Sequence, residues 1–351
     1  MALANAHKVS IRCILGFLCL WLTACQGVLP SPTPTPTLGP TATNPLPTAV
    51  PATPTPSPLG SPDNPLLIGV VTDASSTAPA APGDLLGQTL SQKTGLSIKV
   101  STYSTYPLLL EDMDGGKLPA AWLPPLTYLW ASQRGLAQVA LAANHFGVYR
   151  YGAQFLVNAG DNYTVYYDAN KNQSTADAAN ALRQFAGKQP CWVDATSASG
   201  YVLPKGILAQ ESIQTGSGVF TLDHTAVVRA LYARGICDFG VTFAVMGDPR
   251  TATAVQKDMP DIMQKVIVAW QTPAVIPNLA LVYAPRISTP TRSKINDALI
   301  GLALTKDGQA SLAGALGYEI GGLKPATEDF YRDLLAAVQA SGIELDSLVG
   351  K

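Results

Sequence analysis

Leu66-Leu67-Ile68-Gly69-Val70-Val71 is an unbroken apolar run bounded by Pro65 and by Thr72-Asp73, and its reading decides the fold. Such a run suits a strand buried on both faces, which is the habit of strands in parallel sheets covered by helices. The stretch from Gly83 to Thr94 then carries Leu85, Leu86 and Leu90 at helical spacing and stops at Gly95, after which Leu96 to Val100 alternates like a second strand. The opening is therefore β-α-β.

The same alternation continues downstream. Helices are expected over 107–113, 128–134, 176–185, 221–233, 295–304 and 329–339, and strands over 147–158, around Cys191 and Cys237, and over 266–270 and 279–283. Strands alternating with helices predict an α/β fold with mainly parallel sheets flanked by helices. The stretch from Pro65 to Lys351 is long for a single core and suits two lobes.

Ahead of this domain, Lys8 and Arg12 precede an apolar run from Ile14 to Leu22, too short to span a bilayer, and then Leu22-Thr23-Ala24-Cys25-Gln26-Gly27. Residues 1–24 read as a signal peptide whose end resembles the bacterial lipobox, with Cys25 as the lipidated residue. The expected location is extracytoplasmic, anchored to the outer face of the cytoplasmic membrane through acyl chains on Cys25. Residues 25–64 are dominated by Pro, Thr, Ser and Ala and bury too little apolar surface to offset chain entropy. Extending by about 3.1 Å per residue, this tether spans on the order of 100 Å.

With 23 Lys+Arg against 24 Asp+Glu and no basic stripe, the chain has no footprint for nucleic acid. Only His145 and His224 lie beyond the signal segment, in no Cys/His ligand spacing, so neither a metal nor another cofactor is expected. Cys13 and Cys19 leave with the signal peptide and Cys25 is the lipid site, which leaves Cys191 and Cys237. An even pair in an oxidising compartment predicts one disulfide, the alternative being two buried thiols.

Two stretches carry chemistry. In Asp194-Ala195-Thr196-Ser197-Ala198-Ser199-Gly200-Tyr201, hydroxyls and a glycine fall where a strand turns into a helix, so an oxyanion could be held by Ser197, Ser199 and the Gly200 amide. Ser and Thr are also ordinary N-caps, the bland reading of the same residues. In Leu222-Asp223-His224-Thr225, Asp223 can cap a helix and His224 falls in its first turn, where it could face the same anion.

Together with two further blocks, these stretches resemble the phosphate/phosphite/phosphonate-binding lipoproteins of ABC transporters, the PhnD-like group. The blocks are Gly116 to Tyr128 (GKLPAAWLPPLTY), Asp194 to Pro204 (DATSASGYVLP), Leu222 to Val241 (LDHTAVVRALYARGICDFGV) and Ile276-Pro277-Asn278, in the family's order. The resemblance implies a two-lobed periplasmic binding protein of type 2 with two crossovers, lobe one being 65–153 and 277–351 and lobe two 154–276. It implies a monomer that captures a small oxyanion between its lobes and delivers it to an ABC permease. By position, Ser197, Ser199, Gly200 and His224 would hold the anion, and Tyr106, Trp122 and Tyr128 would face the cleft. Thr242 and Phe243 stand where some members place groups that recognise an amine. Departures include Ala198 for the family's central Thr, Pro119 for an Asp and Pro124 for a Gly.

A hydrolase built on Ser197, His224 and Asp238 has little support, because no G-x-S-x-G elbow is present and such trios occur in most chains. The chain is not expected to be an enzyme. The stronger rival is a two-lobed sensor or interaction lipoprotein that has lost oxyanion binding, or a binder of a different small organic solute.

Overall fold

The computed structural model describes residues 57–72 and 81–349, all within one compact unit, Thr55–Lys351. The signal segment, Cys25 and most of the Pro/Thr-rich tether lie outside the described residues. Among the described residues no helix is long and apolar enough to cross a membrane.

In chain order the strands are β1 (Leu66–Val71), β2 (Ile98–Tyr103), β3 (Ala120–Leu123), β4 (Gln138–Asn144), β5 (Arg150–Asn158), β6 (Tyr167–Asp168) and β7 (Gln173–Ser174). They continue as β8 (Pro190–Trp192), β9 (Val219–Phe220), β10 (Phe239–Ala244), β11 (Val266–Gln271), β12 (Ile276–Pro277), β13 (Ala280–Tyr283) and β14 (Gly322–Pro325). One six-stranded sheet has the order β14-β4-β13-β3-β1-β2, and a second has β11-β5-β10-β8-β9, with β12 pairing β5. The β6-β7 hairpin stands apart. The β-α-β opening is present, with a helix at Ala81–Thr94 between β1 and β2.

The sheets are mixed rather than mainly parallel. Parallel pairing joins β1 to β2 and β3, and β8 to β9 and β10, whereas β4, β5, β11, β13 and β14 make antiparallel pairs. The cause is the path of the chain. A strand that leaves one sheet directly for the other, or returns from it, has no covering helix to reverse its direction, so it enters antiparallel.

The crossings also differ from the expected boundaries. β5 belongs to the second sheet from Arg150 onward, so the chain first crosses at 145–149, not after 153. It returns just after β12, and the two crossings are tied together: the Asn278 amide N–H donates to Tyr149 O at 3.1 Å and its side chain to Val148 O at 2.8 Å.

The C-terminal segment, expected wholly in the first lobe, does not stay there: the helix Arg332–Ser341 packs on the helix Leu203–Gln210 of the second sheet's layer. Gly206 makes this possible: a Cβ there would lie 2.1 Å from Ala337 O. The helix Leu345–Val349 then packs on the helix Pro125–Gln133 of the first sheet's layer, where Trp130 Nε1 and Arg134 both donate to Asp346 at 2.6 Å. The last two helices thus grip both layers. One apolar core consequently joins Leu126 and Leu129, Phe155 and Phe239, and Leu334 and Leu348.

Candidate functional site

β8, β9 and β10 run parallel, so their C-terminal ends lie on one edge of the second sheet, the edge on which ligand-binding loops of open α/β sheets gather. Val193, just beyond β8, ties two such loops together. Its N–H donates to Gly200 O at 3.2 Å, and its carbonyl accepts from Leu222 N at 2.7 Å.

The first loop is built by its own polar groups. Asp194 Oδ1 accepts from Thr196 N at 2.7 Å and Thr196 Oγ1 at 2.6 Å, and Ser197 N donates to Asp194 O at 3.2 Å. Ser197 then caps a single π turn, Ala198–Val202, that runs into the helix Leu203–Gln210; its Oγ accepts from Gly200 N at 3.0 Å. A hydroxyl that accepts in this way keeps its proton to donate outward. Ser199 is only 3% exposed, yet its hydroxyl makes no hydrogen bond to any described residue. The Ala198 and Ser199 amides open the turn and have no acceptor within it. Gly200 is needed for close packing, since a Cβ there would lie 2.3 Å from Val193 Cγ2. Its amide, expected to face the ligand, is instead used by Ser197.

The second loop brings in His224. Asp223 caps the helix His224–Ala233, accepting from Thr225 N at 2.6 Å, Ala226 N at 3.1 Å and the Thr225 hydroxyl. These bonds hold its carboxyl below the usual range. His224 Nδ1 accepts from Phe243 N at 3.4 Å, and the Phe243 ring stands edge-on to the imidazole, centroids 4.7 Å apart. That bond leaves the proton on Nε2, which becomes a neutral donor. Burial pushes the His224 pKa down, opposed by the nearby Asp223 and Asp194 carboxylates. The bonds of Val193 to Gly200 O and from Leu222 N hold the two loops side by side, which brings Ser197, Ser199, Gly200 and His224 to one end of the sheet edge.

On the first sheet, Tyr106 and Trp122 line a cavity of about 290 Å³ with Thr72, Leu279, Gly317 and Tyr318, again at C-terminal strand ends. Two other expected contacts do not hold. Tyr128 is 1% exposed and packs on Tyr331 with centroids 4.3 Å apart, because nearly all of its short helix is buried, so it belongs to the core. Thr242 is fully buried; its Oγ1 accepts from Gln154 Nε2 at 3.2 Å and donates to Phe243 O at 3.3 Å. Strand alternation turns it away from its neighbour Phe243, into the layer where Gln154 also meets Asp248.

Sequence reasoning left Phe243 out of the contact set and did not reach Tyr318. Phe243 acts through its backbone N–H, which no residue pattern reveals. Tyr318 follows Gly317, whose left-handed φ of 59° ends the helix Lys306–Leu316; that helix stop was its only signal. Cys191 and Cys237 are joined in a disulfide across the starts of β8 and β10, Cα–Cα 5.6 Å. Among the described residues no group of three or more His, Cys, Asp or Glu could hold a metal ion.

Residues 68–331 match the profile of the periplasmic substrate-binding proteins of phosphonate ABC transporters. The chain belongs to this family. A curated relative, the phosphate-import protein PhnD of Mycolicibacterium smegmatis, is 27% identical over 202 residues, 54% of this chain and 58% of that protein. The match therefore spans little more than half the relative's length. Among solved structures, XAC2383 from Xanthomonas citri bound to ATP superposes with a TM-score of 0.58 at 14% identity, covering 79% of this chain and 96% of that one. PhnD1 from Prochlorococcus marinus in complex with methylphosphonate gives 0.50 at 15% identity, covering 78% and 97%. At these identities the likeness shows the fold, an α/β fold with mixed sheets flanked by helices. Members of the family are substrate-binding transporter components, not enzymes.

Proposed function

We propose that this chain is a lipid-anchored extracytoplasmic receptor that closes its two layers on a small oxyanion and presents it to an ABC permease. One observation carries the reading. The Ser197 and Ser199 hydroxyls, the Ala198 and Ser199 amides and the neutral His224 Nε2–H form a set of donors, each with a proton to give, at the mouth of one sheet edge. Such a set suits an oxyanion that has shed its water, because each oxygen lone pair regains a partner.

Neither loop, 193–200 or 221–224, contains Lys or Arg. Recognition by neutral donors depends on placement rather than on net charge, and so resists salt. Phe243 beside His224 offers an aromatic edge and no carboxylate. Phosphate, phosphite and simple alkylphosphonates therefore suit the site better than an aminoalkylphosphonate, whose ammonium would lack a partner at Phe243. Tyr106 and Trp122 would close over the ligand from the first sheet, and the tether from Cys25 would keep the receptor near its permease.

The test is a thermal-shift and calorimetric panel with phosphate, phosphite, methylphosphonate, aminoethylphosphonate and sulfate. At 100 times its Kd, a true ligand stabilises the fold by about 2.7 kcal/mol. A response to none of these oxyanions would refute the reading and favour an interaction module.

A further inference from the structure

A second concavity on the described residues lies apart from the oxyanion site. A cavity of about 730 Å³ lies where β10 and β11 end, walled by the helix Leu203–Gln210, the β7 strand and the crossing at 272–275. None of Ser197, Ser199, Gly200 or His224 lines it.

Its lining has two parts. Leu203, Ile207, Trp270 and Val275 make an apolar wall. Gln271 also faces it: the residue is only 8% exposed, its backbone N–H and C=O are both spent on Ser174 Oγ, and its side-chain amide bonds to no described residue. A carboxamide that bonds to no protein group and can be reached from the cavity is available to a ligand in place of water, which suits the cavity to a polar group on an apolar body.

The charge at the mouth specifies that group further. Asp177, Glu211 and Asp333 line the cavity, whereas no Lys, Arg or His does. None of the three carboxylates forms an ion pair among the described residues. An anionic ligand would meet three like charges there, and a cation would meet three opposite ones.

We infer that this cavity binds an organic cation: an ammonium or quaternary ammonium group carrying an apolar or aromatic body. The body lies against Trp270 and Leu203, and the charge points to the acidic rim. The site is separate from the oxyanion cradle, and its test stands apart from the reading of that cradle.

Calorimetric titration of the full chain with benzyltrimethylammonium, and separately with benzenesulfonate, tests it. The expected result is saturable one-to-one binding of the cation and at least about tenfold weaker binding of the sulfonate. Glu211→Gln with Asp333→Asn, both exposed, should weaken the cation about three- to tenfold while leaving the methylphosphonate response unchanged. Ala274→Trp, which fills the cavity, should abolish cation binding; the double variant decides the matter if Ala274→Trp fails to fold. No saturable binding of benzyltrimethylammonium, equal binding of the two probes, or unchanged affinity in the double variant would each overturn the inference.

Discussion

Gly200→Ala is the substitution in which packing and function meet. The added Cβ would lie 2.3 Å from Val193 Cγ2, 2.5 Å from Val193 Cβ and 2.9 Å from Ser197 Oγ. Carbon atoms pack at about 3.5–4.0 Å, so the two residues must part by more than about 1 Å. Val193 cannot swing aside cheaply. It is β-branched and 3% exposed, and its N–H is bonded to Gly200 O itself at 3.2 Å. Overpacking of this kind costs about 1–3 kcal/mol, and loss of the backbone bond adds about 1 kcal/mol. Relief of the glycine's conformational entropy returns about 0.5–1 kcal/mol. The net expectation is destabilisation of about 1–3 kcal/mol, read as a lower urea midpoint with unchanged slope. Methylphosphonate binding should be lost as well, because Ser197 Oγ is among the atoms displaced. Gly301→Ala is the control: it sits in the helix Thr289–Ala303 with nothing within 4 Å of a new Cβ, and should stabilise by about 0.5–1 kcal/mol. A Gly200→Ala protein within about 0.5 kcal/mol of wild type, or one that binds normally, would refute this account of the loop.

Three further outcomes are expected. His224 has its pKa pushed down by burial, so below the unfolded value of about 6.5 the unfolded chain takes up a proton that the folded chain resists. Its contribution is complete above that pH and falls as the pH drops through the folded pKa; urea titrations from pH 5 to 8 should show a decline that His224→Gln flattens. Replacing Cys191 and Cys237 by Ser opens a loop closed across 46 residues and should cost about 2–4 kcal/mol in denaturant titration without changing which oxyanions bind. Gly206→Ala drives a methyl into Ala337 O, a backbone atom that cannot rotate away, so it should cost at least about 3 kcal/mol by the same measurement; a neutral result would mean that the two helices separate readily.

Much of this architecture was legible in the sequence, and for physical reasons. The β1 run, the helix that follows it and the helix starting at His224 declare themselves through apolar periodicity and through caps, with Asp223 bonded to two amides as an N-cap should be. The proposed cradle stood out as hydroxyls and a glycine at a strand-to-helix turn, a pattern that an ordinary N-cap also gives, and Ser197 does cap the turn there. What stayed hidden depends on long-range placement. Whether β5 or β13 pairs parallel or antiparallel is set by where the chain crosses, not by the residues of the strand. Tyr128 and Thr242 looked like cleft residues, but Tyr331 and Gln154, both far away in sequence, take them into the interior. The docking of Arg332–Ser341 on the other layer rests on one small residue, Gly206, whose close approach to Ala337 no local pattern announces.

Under the proposed function, Ser199 offers an unspent hydroxyl to an oxyanion. Calorimetric titration of methylphosphonate and phosphate into wild type and Ser199→Ala tests it most directly. A hydrogen bond to a charged group is worth about 1.5–3 kcal/mol, so the variant should bind about 10- to 150-fold more weakly. Its urea midpoint should be unchanged, because the Ser199 hydroxyl bonds to no described residue. Saturable binding with equal affinity in the two proteins, or no binding of either oxyanion by wild type, would contradict the claim.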